Sequence, residues 1–335
     1  MTETYRSECR ERITAKMRLA AGVFLVGLML CVTGVVRCQN YPSRPIRLLT
    51  AELGGGSDLA ARLVAQGLSA SLGQQVIVDN RVGGVIVAEV AARATPDGYT
   101  LLLYSGTLWI LPFMRDKMPY DPVRDFAPIT LVGTSPAILV VHPSVPVTSV
   151  KELIALAKAK PGELNYSTGP AGALPHLAGE LFKSMAGVDL VRVAYRGVAL
   201  ALNDVISGRV QIMFNPNAGA VMQHSRSGRL RALAVTSAQP SPLFPDLPAI
   251  GASGVPGYEA VGVFGVFAPA KTPAPLIKRL NQEIVGFLKM PEVKARFFNA
   301  GIDVLGSSPQ ELAATMTAEM ARMGGVIRNA GIRAQ

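Results

Sequence analysis

The sequence predicts an α/β protein of two lobes joined by two crossings, with a ligand cleft between the lobes. Three observations predict it. Short apolar runs bounded by turn residues alternate with helical patterns along the whole chain, which is the signature of βα units around largely parallel sheets. About 297 residues follow position 38, long for one compact unit and comfortable for two of roughly 100–150. The series of units also restarts after Pro146, and the last segment has too few strands to form a sheet of its own.

The N-terminal stretch sets the compartment. Lys16 and Arg18 precede an apolar run from Leu19 to Val36, and the chain turns polar again over Arg37–Ser43. This is the layout of a secretory signal over residues 1–38, cut near Cys38, and it implies a periplasmic protein. The alternative is an uncleaved anchor, since 18 residues is near the lower limit for spanning a bilayer. Cys9, Cys31 and Cys38 all lie at or before the cut, so the exported part carries no thiol, disulfide or thiolate metal ligand. Removing residues 1–38 reduces the net charge from +10 to about +7. The remaining cations are scattered and few aromatics lie among them, which argues against a nucleic-acid partner.

The first lobe is expected over 41–142 and, after an excursion, 264–335. Ile46–Thr50 reads as a strand, followed by Gly54-Gly55-Gly56-Ser57-Asp58 and a helix from Leu59 to Leu72 ended by Gly73. Val76–Asp79 is a second strand and Thr100–Tyr104 a third, with a turn at Thr95–Gly98 between them. Ala137–Val141 reads as a buried strand stopped at His142-Pro143.

The second lobe is expected over 143–263. Ser149 and Glu152 form a capping box that opens a helix to about Lys158, and Pro161-Gly162 breaks it. Strands follow at Asn165–Ser167, Leu190–Val193, Gln211–Phe214 and Ala232–Val235, with helices between them. A proline-rich stretch from Pro240 to Pro256 leads to the strand Gly262–Phe267. The chain closes with helices from Pro273, Pro291 and Pro309, the last capped by Ser308 with Glu311 three residues on. These helices have only Ile302–Val304 as a strand and must pack back on the first lobe. Two crossings of this kind make a hinged clamp.

The glycine loop at 54–58 is either a ligand cradle at a helix start, where free N–H groups attract anions, or a tight turn capped by Asp58. It lacks the Gly-Lys-Ser/Thr of a Walker loop and the third glycine of a dinucleotide fingerprint. Ser167-Thr168-Gly169-Pro170-Ala171-Gly172 repeats the same logic in the second lobe, and Ser105-Gly106-Thr107 adds a third donor cluster. His176 and Glu180 share a helix face, but three histidines and no cysteine make a poor metal site. Arg196 in Tyr195-Arg196-Gly197 either clamps a carboxylate or pairs at the surface. Asn215, after a strand, can donate its amide to a ligand. No Gly-x-Ser-x-Gly elbow is present. The residues favour binding over catalysis, with no cofactor.

The chain resembles the extracytoplasmic solute receptors of tripartite tricarboxylate transporters, the Bug-type (TctC-type) periplasmic binding proteins, over about residues 41–330. The resemblance rests on YPSRPIRL at 41–48, GGGSD at 54–58, LGQQVIVDNR at 72–81 and PDGYTLLL at 96–103. Beyond these come YDPVRDFAPIT at 120–130, HLAGELF at 176–182, AYRG at 194–197 and FAPAKTPAPLIKRLN at 267–281. It implies a type II periplasmic-binding-protein fold and capture of a small carboxylated or amidated compound for delivery to transporter membrane subunits, by a monomer. By the same resemblance the first-lobe site would use Gly55, Gly56, Ser57, Asp58, Ser105 and Thr107. The second would use Ser167, Thr168, Ala173, His176, Tyr195 and Asn215. Glu52 and Leu53 replace prolines of the family pattern, Val82–Gly84 is two residues shorter, Pro170 replaces a glycine, and Val263 stands where tryptophan is common. These departures bear on the ligand, not the fold. The alternatives are a secreted esterase or amidase using Ser57 or Ser167, which needs a histidine in hydrogen-bond reach, and a ligand-sensing module with no transport role.

Overall fold

The structure, a computed structural model, describes residues 41–51, 56–81, 84–169, 172–329 and 331–333. The expected signal segment, Glu52–Gly55, Val82-Gly83 and Pro170-Ala171 lie outside the described residues. All elements below belong to one compact unit, Arg44–Gln335.

The first sheet grows from parallel strands whose residues are apolar on both faces. β1 (Ile46–Thr50) pairs with β2 (Val76–Asn80) on one side and β3 (Thr100–Ser105) on the other. Leu48, Leu49 and Leu101–Leu103 are fully buried, as expected where helices cover both faces. Between the strands run α1 (Gly56–Leu72) and α2 (Gly84–Ala92), and β3 leads into a short α3 (Thr107–Ile110). Ala60, Ala61, Val64 and Leu68 form the buried stripe of α1.

β4 (Phe126–Pro136) was not expected from the sequence. Pro128, Gly133 and Pro136 mask its period. Its prolines are tolerated because Pro136 ends the strand and Pro128 faces Phe267 where the register shifts.

The second sheet holds β5 (Ile138–Val141), β6 (Asn165–Thr168), β7 (Val191–Ala194), β8 (Ile212–Asn215) and β9 (Arg231–Val235) in the order β7-β6-β8-β5-β9. The helices α4 (Val150–Ala159), α5 (Leu174–Ala186), α6 (Val198–Ile206) and α7 (Ala218–Arg226) alternate with these strands. The expected capping box is present, with Glu152 N–H donating to Ser149 Oγ at 3.2 Å. The core here is aromatic: Phe182 lies 5.7 Å from Phe214 and 6.2 Å from Tyr258, ring centre to ring centre.

β10 (Val261–Pro269) returns to the first sheet between β3 and β4. The chain ends with α8 (Ala274–Leu288), α9 (Pro291–Asn299), the two-residue β11 (Asp303–Val304) paired with β4, and α10 (Pro309–Asn329). These pack on the first sheet through Asn281, whose amide donates to the carbonyls of Ile129 at 2.8 Å and Ser307 at 2.7 Å.

β5, grouped with the first lobe by a division at residue 142, hydrogen-bonds instead to β8 and β9. The crossing from first sheet to second is therefore Ala137 alone. β4 and β3 both run antiparallel to β10, so Pro136 emerges at the edge where β1, β2 and β3 end. β5 enters opposite Asn215, the last residue of β8. A one-residue link thus joins the carboxyl edges of the two sheets, the edges where open α/β sheets bind ligands.

The return crossing begins at Thr236, fully buried. Its N–H donates to the Ala137 carbonyl at 2.9 Å, and its Oγ1 accepts from Ala137 N–H at 2.7 Å. Thr236→Val keeps the shape and strands that N–H. It should cost about 1–3 kcal/mol in urea unfolding, and an unchanged midpoint would refute this role for the hydroxyl.

Candidate functional site

In the first lobe, α1 starts with Gly56 directly against the ring of Phe264, at the start of β10. A Cβ on Gly56 would lie 2.8 Å from Phe264 Cζ, so a larger residue here would push the ring tip aside. Ser105 sits opposite Phe264 in the β3–β10 ladder. Gly106 N–H donates to the Val263 carbonyl at 3.0 Å, and Ser105 Oγ donates to Thr107 Oγ1 at 3.0 Å. Gly56, Ser57, Ser105 and Thr107 therefore share one edge of the sheet, with Phe264 among them. Gly55 lies outside the described residues.

Asp58 has a different task. Its carboxylate accepts from the Asn80 amide at 2.8 Å and pairs with Arg62 at 3.0 Å. The same amide donates to the Ala51 carbonyl at 2.8 Å. Asp58 and Asn80 thus tie the ends of β1 and β2 to the first turn of α1, and the Asp58 charge is met internally.

In the second lobe, Thr168 is fully buried and its Oγ1 accepts from Arg192 Nε at 3.0 Å. Ser167, beside it, is fully buried and its Oγ has no hydrogen-bond partner. Ala173 caps α5 without a side-chain bond. Three residues on, His176 is 3% exposed, and its Nδ1 accepts the Gly172 N–H at 3.2 Å. Glu180, one turn further, is bonded to Tyr166 and Lys183, so the His176–Glu180 pair is not a half-built metal site.

Tyr195 donates its hydroxyl to Asp204 at 2.7 Å, and Arg209 pairs with the same carboxylate. Burial and that carboxylate push the Tyr195 phenol up to about 12. Tyr195 braces α6, and only its N–H, donating to the Thr168 carbonyl at 2.9 Å, serves the loop. Arg196 is exposed. Asn215 is fully buried, and its side-chain oxygen accepts the Asn217 N–H at 2.7 Å, shaping the turn into α7.

The two edges meet. Gly172 has φ +82°, and a Cβ there would lie 3.2 Å from Met114 Sδ and 3.5 Å from Leu111 Cδ2 in the first lobe. A Cβ on Gly262 would lie 3.6 Å from Leu174 Cδ2, at the start of α5. The starts of α1, α2, α5, α6 and α7 all gather on these opposed edges, each carrying roughly half a positive charge. Among the described turn residues the one carboxylate, Asp58, is neutralised by Arg62. The arrangement suits a small anion held by neutral donors.

A family model of the tripartite tricarboxylate transporter family receptor matches residues 60–332. The chain belongs to this family. BugT of Bordetella pertussis is 34% identical, over 95% of this chain and 99% of its own. Among solved structures, an R. palustris protein with adipate is 37% identical, covers 88% of this chain and 99% of its own, and superposes with a TM-score of 0.79. MatC of Rhodopseudomonas palustris with bound malate is 27% identical, covers 86% and 100%, and has a TM-score of 0.75. The two-lobed α/β fold read from the sequence is that of these periplasmic binding proteins.

Sequence reasoning missed Phe264, Thr236, Arg192 and Asn80. Of these only Asn80, after a strand and within the family motif at 72–81, carried any local signal.

Burial pushes the His176 imidazole down to about 4, with Arg192 and Lys183 adding to the effect and Glu180 opposing it. The folded pKa lies below the unfolded value, so the neutral ring's contribution is full above about pH 6.5 and lost as pH falls toward 4. It amounts to about 3 kcal/mol. Between pH 7 and 4 the wild-type protein should therefore lose more stability than His176→Asn by about that amount in denaturant titrations. Parallel losses would mean that His176 is not held neutral.

Proposed function

We propose that this receptor is periplasmic, captures a small carboxylated compound between its lobes and delivers it to transporter membrane subunits of the tripartite tricarboxylate type. The observation that carries the reading is the convergence of donor-rich, charge-poor strand ends from both sheets on one cleft. Helix starts and backbone N–H groups suit carboxylates, and one carboxylate can be met by each lobe. Adipate and malate, bound to the two R. palustris relatives, are both dicarboxylates, which supports a dicarboxylate here. Lobes 41–142 with 264–335 and 143–263, with the first boundary drawn back to Ala137, would close about the Ala137–Thr236 link, ligand shifting the population toward the closed form.

The esterase alternative gains no support. Ser167 Oγ has no histidine partner, and His176 Nδ1 is already engaged by Gly172. Binding without chemistry is the reading we adopt.

A thermal-shift screen tests it. At about a hundredfold excess over Kd, a bound dicarboxylate adds about 2.7 kcal/mol and should raise Tm by roughly 5 °C. The dimethyl ester of the same acid should leave Tm unmoved. Silence across C4 to C8 dicarboxylates, or an equal response to the esters, would refute the carboxylate site.

A further inference from the structure

Phe264 lies where both lobes and the return crossing meet. β10 is separated from β1 by β3, yet the tip of the Phe264 ring reaches the start of α1, with Cζ 2.8 Å from where a Gly56 Cβ would be. The ring therefore spans the carboxyl end of β3 beside Ser105, its partner in the ladder. It leans toward the cleft, since Cζ also lies 3.7 Å from a Cβ placed on Gly262, two residues earlier and nearer the crossing. Gly262 in turn abuts Leu174 of the second lobe. A register shift follows Phe264 immediately, a local bend that re-aims a side chain. Leu111 and Met114 lie against Gly172 across the same gap. Phe264, Leu111 and Met114 are themselves buried, so the seam where the two edges meet is aromatic and aliphatic.

We propose that Phe264 is a specificity-determining wall of the cleft. Resting on the carboxylate reading above, the inference is that the ligand's methylene chain lies on this ring between its two carboxylates. The site then selects dicarboxylates with an unsubstituted spacer over hydroxylated ones. A hydroxyl on the spacer would leave water and find no partner on Phe264, Leu174, Leu111 or Met114. Each methylene laid on the wall is worth about fourfold in affinity.

Calorimetric titration of the purified protein with succinate against malate, and glutarate against 2-hydroxyglutarate, tests it. Each pair differs by one hydroxyl. The wild-type protein should prefer the unsubstituted member by about tenfold, a ratio that needs no variant to be read. Phe264→Ala should reduce the ratio to within about twofold, mainly by weakening the unsubstituted acid, and Phe264→Leu should retain it. No preference in the wild type, a preference for the hydroxylated member, or an equal loss for both members in Phe264→Ala would overturn the wall. If no dicarboxylate binds the wild type at all, the carboxylate reading falls and this inference with it, whereas binding without discrimination removes the wall alone.

Discussion

The reciprocal hydrogen bonds between Ala137 and Thr236 are the constraint on which the rest depends. The first crossing is one residue long and the second runs from 236 to 260, so the two could diverge at once. Thr236 prevents this by satisfying both backbone groups of Ala137, and its own carbonyl accepts Ala260 N–H at 2.8 Å. The two ends of the long crossing are thereby held at the short one. The two sheets are therefore joined at a single hydrogen-bonded point.

Charge on and around these helices is spent on bracing. Asp58 is held by Asn80 and Arg62, Asp204 by Tyr195 and Arg209, and Glu180 by Tyr166 and Lys183. The first tie fixes the start of α1, and the others brace the middle of α5 and the far end of α6. A buried ion pair with the ligand would bring a large desolvation cost and a slow release if either partner were left alone. Neutral donors give about 1 kcal/mol each, so several must act together, and any one can be surrendered cheaply.

The parallel strands were legible because burial on both faces demands unbroken apolar runs, and Ile46–Thr50 or Thr100–Tyr104 can be little else. β4 was hidden because an antiparallel strand with bulges admits Pro128, Gly133 and Pro136. The glycine loops announced themselves through composition. Phe264 did not, since one phenylalanine within GVFGVF reads as core, and its function comes from Gly56, more than 200 residues away in sequence. Asp58 and Tyr195 are the opposite case. The resemblance places them at the ligand, and their side chains are bonded to Asn80 and Asp204. Strand ends can be read locally, whereas the direction of a side chain at a strand end is a tertiary fact.

His176 shows how the fold holds a rigid loop without adding charge. The N–H of Gly172 needs an acceptor, and Gly172 must hold φ +82° against Met114. An aspartate would accept that bond more strongly, but would bury a negative charge there. A neutral imidazole accepts through Nδ1 and carries its proton on Nε2. Burial with Arg192 and Lys183 nearby keeps it uncharged. The ring thus supplies an acceptor without adding either sign of charge. The same pattern pairs Asp58 with Arg62: geometry is enforced by groups whose charge is absent or cancelled.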